Sequence, residues 1–260
     1  MFGPKRGGLS RVLLGAGVAA IALSTASAGQ AAELWGGIPY IGLGGGLNFE
    51  SDPTVNGLAD LGTVAGPLPG NSYPIGVTKV NGLGVGALGL IAAGLDFKNG
   101  WRAELEGSYR HNSAARFNVQ AEGSTSVGVD RTTYAMMANV WRDFALFERV
   151  DLHVGGGLGV AELEMNVTNT YGASTSIDQA EGAYQAGVGL DFVLIPGLKA
   201  TLDYRAFGFF NKDSGNVTVP TSCSNGSCGG TAPYERVSLA VRGGQIDQSI
   251  IFGLRWSFGP

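Results

Sequence analysis

Through most of the chain, apolar residues fall on every second position. One such set is Ile41, Leu43, Leu47 and Phe49, and another is Val85, Ala87, Ile91, Ala93, Leu95 and Phe97. Further sets of single parity are Tyr134, Met136, Ala138 and Val140; Val150, Leu152, Val154, Leu158 and Val160; and Tyr184, Ala186, Val188, Leu190 and Phe192. Leu198, Ala200, Leu202 and Tyr204 follow, and Ile250, Phe252, Leu254, Trp256 and Phe258 close the chain. With Trp101, Ala103, Leu105, Gly107 and Tyr109, this makes about eight runs of about ten residues with a period of two, which predicts an all-β protein of about eight strands.

The joins between these runs alternate in length. Lys98-Asn99-Gly100, the segment 145–149 and Ile195-Pro196-Gly197 are short; 51–81, 113–131, 164–180 and 211–244 are long and rich in Gly, Ser, Thr and Asn, as exposed loops are. Strict alternation of tight turns and long loops is the plan of an antiparallel up-and-down transmembrane β-barrel, whose long loops all lie at one end.

The two faces of each run decide between a soluble and a membrane barrel. In a bilayer the apolar face meets lipid and the polar face lines the lumen. The apolar parity carries Phe97, Trp101, Tyr109, Tyr134, Phe192, Tyr204, Trp256 and Phe258 toward strand ends, as interfacial aromatic girdles require. The opposite parity holds Asp96, His153 and a mixed set of charges: Arg102, Glu104, Glu106, Arg110, Asp151, Asp191, Lys199, Asp203, Arg205 and Arg255. A buried charge is costly unless paired, so these ten are expected to form a lumenal network. Inward glycines, among them Gly84, Gly86, Gly94, Gly155, Gly157 and Gly159, leave room for the long side chains opposite.

The start of the chain adds a location. Lys5, Arg6 and Arg11 flank an apolar run over 12–23, and small residues such as Ala26-Ser27-Ala28 follow. This is the pattern of a cleaved secretory signal peptide. It is shorter than the roughly 20 apolar residues of a membrane-spanning helix. The expected organisation is a leader over 1–31 and a single barrel domain over 32–260. Net charge is −4 and no basic block is present, so nucleic acid is not expected as a partner. Cys223 and Cys228 are the two cysteines, and in an exported protein they are expected to form a small loop disulfide. With only two histidines, neither near that pair, no metal or other cofactor is expected.

From about residue 83 onward the sequence resembles the eight-stranded outer-membrane β-barrel family that includes bacterial surface antigens and OmpA-like barrel domains. The stretch "GAYQAGVGLDFVLIPGLKATLDYRAFGF" over 182–209 carries the resemblance most strongly. The terminal "GLRWSF" resembles the signal read by the outer-membrane assembly machinery, with Gly253, Trp256 and Phe258 at matching positions. The resemblance implies residence in the outer membrane of a Gram-negative bacterium, contact with its lipid, and long loops that meet an extracellular ligand or host surface.

Two chemical motifs carry less. Gly84, Gly86 and Gly89 form a G-x-G-x-x-G, but a dinucleotide site needs a helix after it, and here the strand alternation continues. His111 and Ser113 resemble the His-x-Ser pair of outer-membrane lipid A deacylases. Ser-His chemistry also calls for an orienting carboxylate. The nearest downstream, Glu122, is badly spaced, and Ala114 stands where that family has Asn. The sequence therefore points to a non-enzymatic surface barrel, with a narrow pore and a lipid A-modifying enzyme as alternatives.

The disulfide is open to direct test. Cys223 and Cys228 are expected to resist alkylation in unreduced, denatured protein from the envelope, and to label fully after reduction, while the barrel folds in either state.

Overall fold

The computed structural model describes residues 36–49, 54–63, 66–75, 85–119, 125–169, 174–210, 213–220, 234–242 and 246–258. The leader, Gly84, Glu122, Cys223 and Cys228 lie outside the described residues. No helix occurs among those described, which form twelve strands.

Eight of them close into an antiparallel barrel: β1 (Ile38–Phe49), β4 (Gly86–Asp96), β5 (Trp101–Val119), β6 (Thr125–Phe147), β7 (Val150–Asn169), β8 (Ser174–Ile195), β9 (Leu198–Phe209) and β12 (Asp247–Ser257). The circuit closes at β1, which pairs with β12 on one side (Leu43 opposite Leu254) and with β4 on the other (Ile41 opposite Ala93). The tight turns join strands at one end. Gly100 and Gly197 both take φ of +81°, a left-handed conformation that glycine adopts without steric cost. In the first turn, the Asp96 and Asn99 carboxylate and amide oxygens accept backbone N–H groups of Lys98 and Trp101 at 3.0 Å each.

The long connections are not plain loops. Strands β5 to β8 run 19 to 23 residues, about twice the 9–11 that cross a bilayer. They carry two paired hairpins well past the barrel. The first and last connections hold β2 (Thr54–Thr63), β3 (Gly66–Ile75), β10 (Asp213–Pro220) and β11 (Tyr234–Arg242), which pair in the order β10-β11-β2-β3. That order matches β9-β12-β1-β4, the barrel strands to which they are joined, so the extra sheet continues the wall upward. These strands lie in connections rich in Gly, Ser, Thr and Asn, where a short alternation such as Val237, Leu239 and Val241 reads as part of a loop.

The parity of each barrel strand decides its faces. On β5, Trp101, Leu105 and Tyr109 are exposed, while Arg102, Glu104, Glu106 and Arg110 are all less than 9% exposed. This inversion of the soluble pattern holds around the barrel: Leu43, Leu158, Phe252 and Trp256 are each more than half exposed, and Asp191, Arg205 and Arg255 are buried. Trp101 and Tyr109 stand eight residues apart on β5, about 27 Å along the strand. With a strand tilt of about 40° this is about 21 Å along the membrane normal, a little under the apolar band of about 25 Å. Arg142 lies over the Trp101 ring at 5.3 Å at one belt, and Tyr109 packs on Tyr134 at 5.3 Å at the other.

The lumen is less polar than its charges suggest. Leu88, Leu90 and Ile251 form one buried inward cluster, and Ala135, Met137, Ala161, Ala183 and Phe207 form a second. β4 is apolar on both parities, which is why its inward leucines escape a simple reading of alternation.

Leu105→Lys places a charge on the lipid face and is expected to cost about 2–4 kcal/mol near mid-bilayer. Ser124→Lys, in the β5–β6 connection, is expected to cost less than about 0.5 kcal/mol. Urea unfolding in lipid vesicles measures both.

Candidate functional site

The chemistry of the chain is concentrated in the lumen. Strand alternation delivers Arg102, Glu104, Glu106, Ser108, Arg110 and Asn112 inward from β5, and Thr133, Met137, Asn139 and Trp141 from β6. Glycine on the neighbouring wall makes the space. A Cβ at Gly155 would come within 2.6 Å of the Trp141 ring, and one at Gly189 within 2.5 Å of His153 Nε2.

The central contact is between Glu106 on β5 and Arg205 on β9, where Nη1 of Arg205 donates to Oε2 of Glu106. In the barrel circuit these strands are four apart out of eight, so the pair spans a full diameter. The same Glu106 oxygen accepts from Asn139 at 3.1 Å and Gln185 at 3.3 Å. Gln185 also donates to Asn139 Oδ1 at 2.7 Å. Glu104 sits one step toward the tight turns and collects three donors: Tyr40 at 2.9 Å, Trp141 Nε1 at 2.8 Å and Asn139 at 3.0 Å. Arg205 completes the layer by lying over the Trp141 ring at 4.9 Å.

A second diametric pair lies toward the long hairpins, where Arg131 on β6 donates to Asp247 on β12 at 3.2 Å. Near it Asn48, Asn112 and Ser249 bond one another across β1, β5 and β12. Toward the tight turns, Arg255 donates to Asp191 at 2.6 Å, and Arg102 donates to both oxygens of Asp143 at 2.8 to 3.0 Å. His153 stands between two carboxylates, with Nε2 2.9 Å from Asp203 and Nδ1 3.4 Å from Asp191. Lys199 and Asp151 pair at 2.6 Å at the mouth, where both remain about a quarter exposed.

Of the ten charges singled out by parity, the structure puts Glu106 with Arg205, Asp191 with Arg255, and Asp151 with Lys199; Asp203 touches Arg205 at 3.3 Å. The other three pair differently. Arg102 takes Asp143, Glu104 is held by neutral donors, and Arg110 bonds Ser108 at 2.8 Å and stacks on Phe207 at 4.0 Å. Asp143, Asn139 and Trp141 were available to the same reasoning, since they share the inward parity of "MANVWRDF". Tyr40 and Gln185 were hidden among apolar and glycine neighbours. Among the described residues a cavity of about 40 Å³ lies beside Tyr40, Trp141, His153 and Arg255, room for a few waters.

His111 faces outward on β5, stacked on Tyr109 with centroids 6.4 Å apart, and its Nδ1 is 3.1 Å from the Thr132 hydroxyl. Ser113 follows on the same strand just where the β5–β6 register shifts. Gly86 and Gly89 lie in β4, in extended strand. Gly253 faces inward on β12 between Thr201 and Gly44, while Trp256 and Phe258 are exposed on the outer face.

Comparison with known proteins places this architecture. The family model of the outer membrane protein beta-barrel domain matches residues 16–222. The chain belongs to the outer-membrane β-barrel family. An outer membrane protein of Gluconacetobacter diazotrophicus is 30% identical over 241 residues, which cover 85% of this chain and 57% of that protein. The chain thus spans a little over half the length of that relative. Among solved structures, the chain is similar to Neisserial surface protein A, at 15% identity and a TM-score of 0.45, over 85% of this chain and 97% of that one. It is also similar to OprG from Pseudomonas aeruginosa, at 13% identity and a TM-score of 0.47, over 84% and 96%. Outer-membrane barrels in general turn their tight joins to the periplasm and their long hairpins outward.

Glu104 gives a test of the lumenal layer. Glu104→Ala strands three buried donors and is expected to cost about 2–4 kcal/mol. Glu104→Gln is expected to cost less than half as much, because Tyr40 can turn its hydroxyl to accept from the new amide. Unfolding of the two variants in vesicles reads the difference.

Proposed function

We propose that this outer-membrane barrel is a closed, non-enzymatic scaffold that displays its long hairpins and upper sheet to the cell exterior, in the manner of a surface antigen. The observation that carries this reading is the Glu106–Arg205 pair, which crosses the lumen with Asn139, Gln185, Glu104 and Trp141 packed around it. A passage would need that layer to part, and separating a buried ion pair leaves charge without compensation. The partners in this reading are the lipid of the outer membrane, the assembly machinery acting on Gly253, Trp256 and Phe258, and an extracellular ligand or host surface met by the hairpins. Export would use a leader cleaved near residue 31, and the Cys223–Cys228 bond would order the last connection.

The enzymatic alternative gains no support from His111. Its ring nitrogen meets a threonine hydroxyl, and a Ser-His mechanism needs a carboxylate there.

Single-channel recording separates the scaffold from a pore. Wild-type protein in planar bilayers is expected to pass little or no steady current. Replacing Arg102, Arg110 and Arg205 with alanine is expected to open measurable conductance, because water enters around the freed carboxylates. A large and stable wild-type conductance, unchanged by those substitutions, would establish the pore in place of the scaffold.

A further inference from the structure

We propose that the periplasmic third of the lumen is a binding site for a divalent transition-metal ion of the zinc, nickel or copper class, with Asp143, His153 and Asp191 as ligands. A ring nitrogen of His153 and carboxylate oxygens of Asp143 and Asp191 converge to within 4.8 Å of one another from three consecutive strands, β6, β7 and β8. None of the three was needed to argue the closed lumen, and the inference stands whether or not the barrel conducts.

The hydrogen bonds around the cluster indicate what it is built to hold. His153 Nε2 lies 2.9 Å from Asp203 Oδ1. An ionised carboxylate only accepts, so Nε2 carries a hydrogen. That leaves Nδ1 aimed at Asp191 Oδ1. The two atoms face each other as an ion-pair contact and have no other hydrogen-bond partner, although both side chains are more than nine-tenths buried. They stand 3.4 Å apart, long for a hydrogen bond. Two ligand atoms each about 2.1 Å from a tetrahedral ion are about 3.4 Å apart. The carboxylate–histidine–metal relay, in which one ring nitrogen donates to an acid and the other faces the ion, is the usual outer shell of such sites. Asp203, His153 and the Asp191 oxygen have that arrangement.

The remaining groups position the acids. Arg255 Nη2 holds Asp191 by Oδ2, which leaves Oδ1 facing His153 across the space the ion would take. Arg102 holds Asp143 in a bidentate grip and fixes its plane. These cations also lower the affinity for a second positive charge, so the site suits an ion whose bonds to imidazole are strong rather than calcium or magnesium. Asp143 keeps 14% of its side chain exposed, which supplies an entry path from the periplasm.

The chain has two histidines, so His111→Ala leaves His153 as the single imidazole. That variant, folded, tag-free and in detergent, is titrated with Zn²⁺ by calorimetry and with Cu²⁺ by electron paramagnetic resonance. The proposal expects saturable uptake of one ion per chain and coupling of the copper signal to one imidazole nitrogen. Asp203→Asn in the same background is expected to weaken binding about 10- to 100-fold, since it takes the negative charge from the acceptor behind the ring and lowers the basicity of the imidazole. Asp143→Asn is expected to weaken it while the barrel still folds. Absence of saturable uptake by the His111→Ala protein, or a copper signal without imidazole nitrogen, overturns the proposal. So does uptake unchanged by both aspartate substitutions.

Discussion

The interior of an eight-stranded barrel is only as wide as the side chains that fill it, and every charge turned inward must find its partner there. The rest of this structure follows from that constraint. Glu106 and Arg205 meet across a diameter, and Arg205 also reaches Asp203 on its own strand at 3.3 Å. Once they meet, Asn139, Gln185, Glu104, Trp141 and Tyr40 have a fixed surface against which to satisfy their own donors and acceptors. The glycines of β7 and β8 become necessary, because Trp141 and His153 occupy the volume that a methyl group would claim.

The same constraint explains which parts of the molecule were legible in its sequence. Lipid imposes one demand, an apolar outer face, and the chain meets it with a period of two that survives any choice of individual residue. Strand number, face assignment and tight turns could therefore be read directly. The lumen imposes pairing instead, and pairing is settled by strand stagger. Parity shows that Arg102 points inward but cannot show that Asp143, rather than Glu104, receives it. Arg110 also lies on Phe207, an aromatic that inward parity supplied and that a search for counter-charges alone passes over. Beyond the bilayer neither demand operates. There β2, β3, β10 and β11 fall within stretches rich in Gly, Ser, Thr and Asn, and short alternations such as Val237, Leu239 and Val241 were read as part of a loop.

The division between wall and extension also bears on function. The barrel strands β1, β4, β9 and β12 have 11 or 12 residues each, about the thickness of a membrane, whereas β5 to β8 run on for 19 to 23. A protein that serves only to close its lumen has no need of that length outside. In the scaffold role proposed above, the extended hairpins carry the function and the lumenal network is the frame that keeps their bases apart. The cluster around His153 is at the opposite end, beside the tight turns, so a ligand there would act on a part of the barrel remote from the hairpins.

The claim on which this account depends is that Glu106 and Arg205 act as one unit across the lumen. A double-mutant cycle measures it: Glu106→Gln, Arg205→Met and the two combined, each unfolded with urea in lipid vesicles. The account predicts a loss of about 3–5 kcal/mol for each single change and a double variant more stable than their sum by about 2 kcal/mol or more, near the upper range of contact couplings. Losses that add to within about 0.5 kcal/mol, as for independent sites, would contradict it.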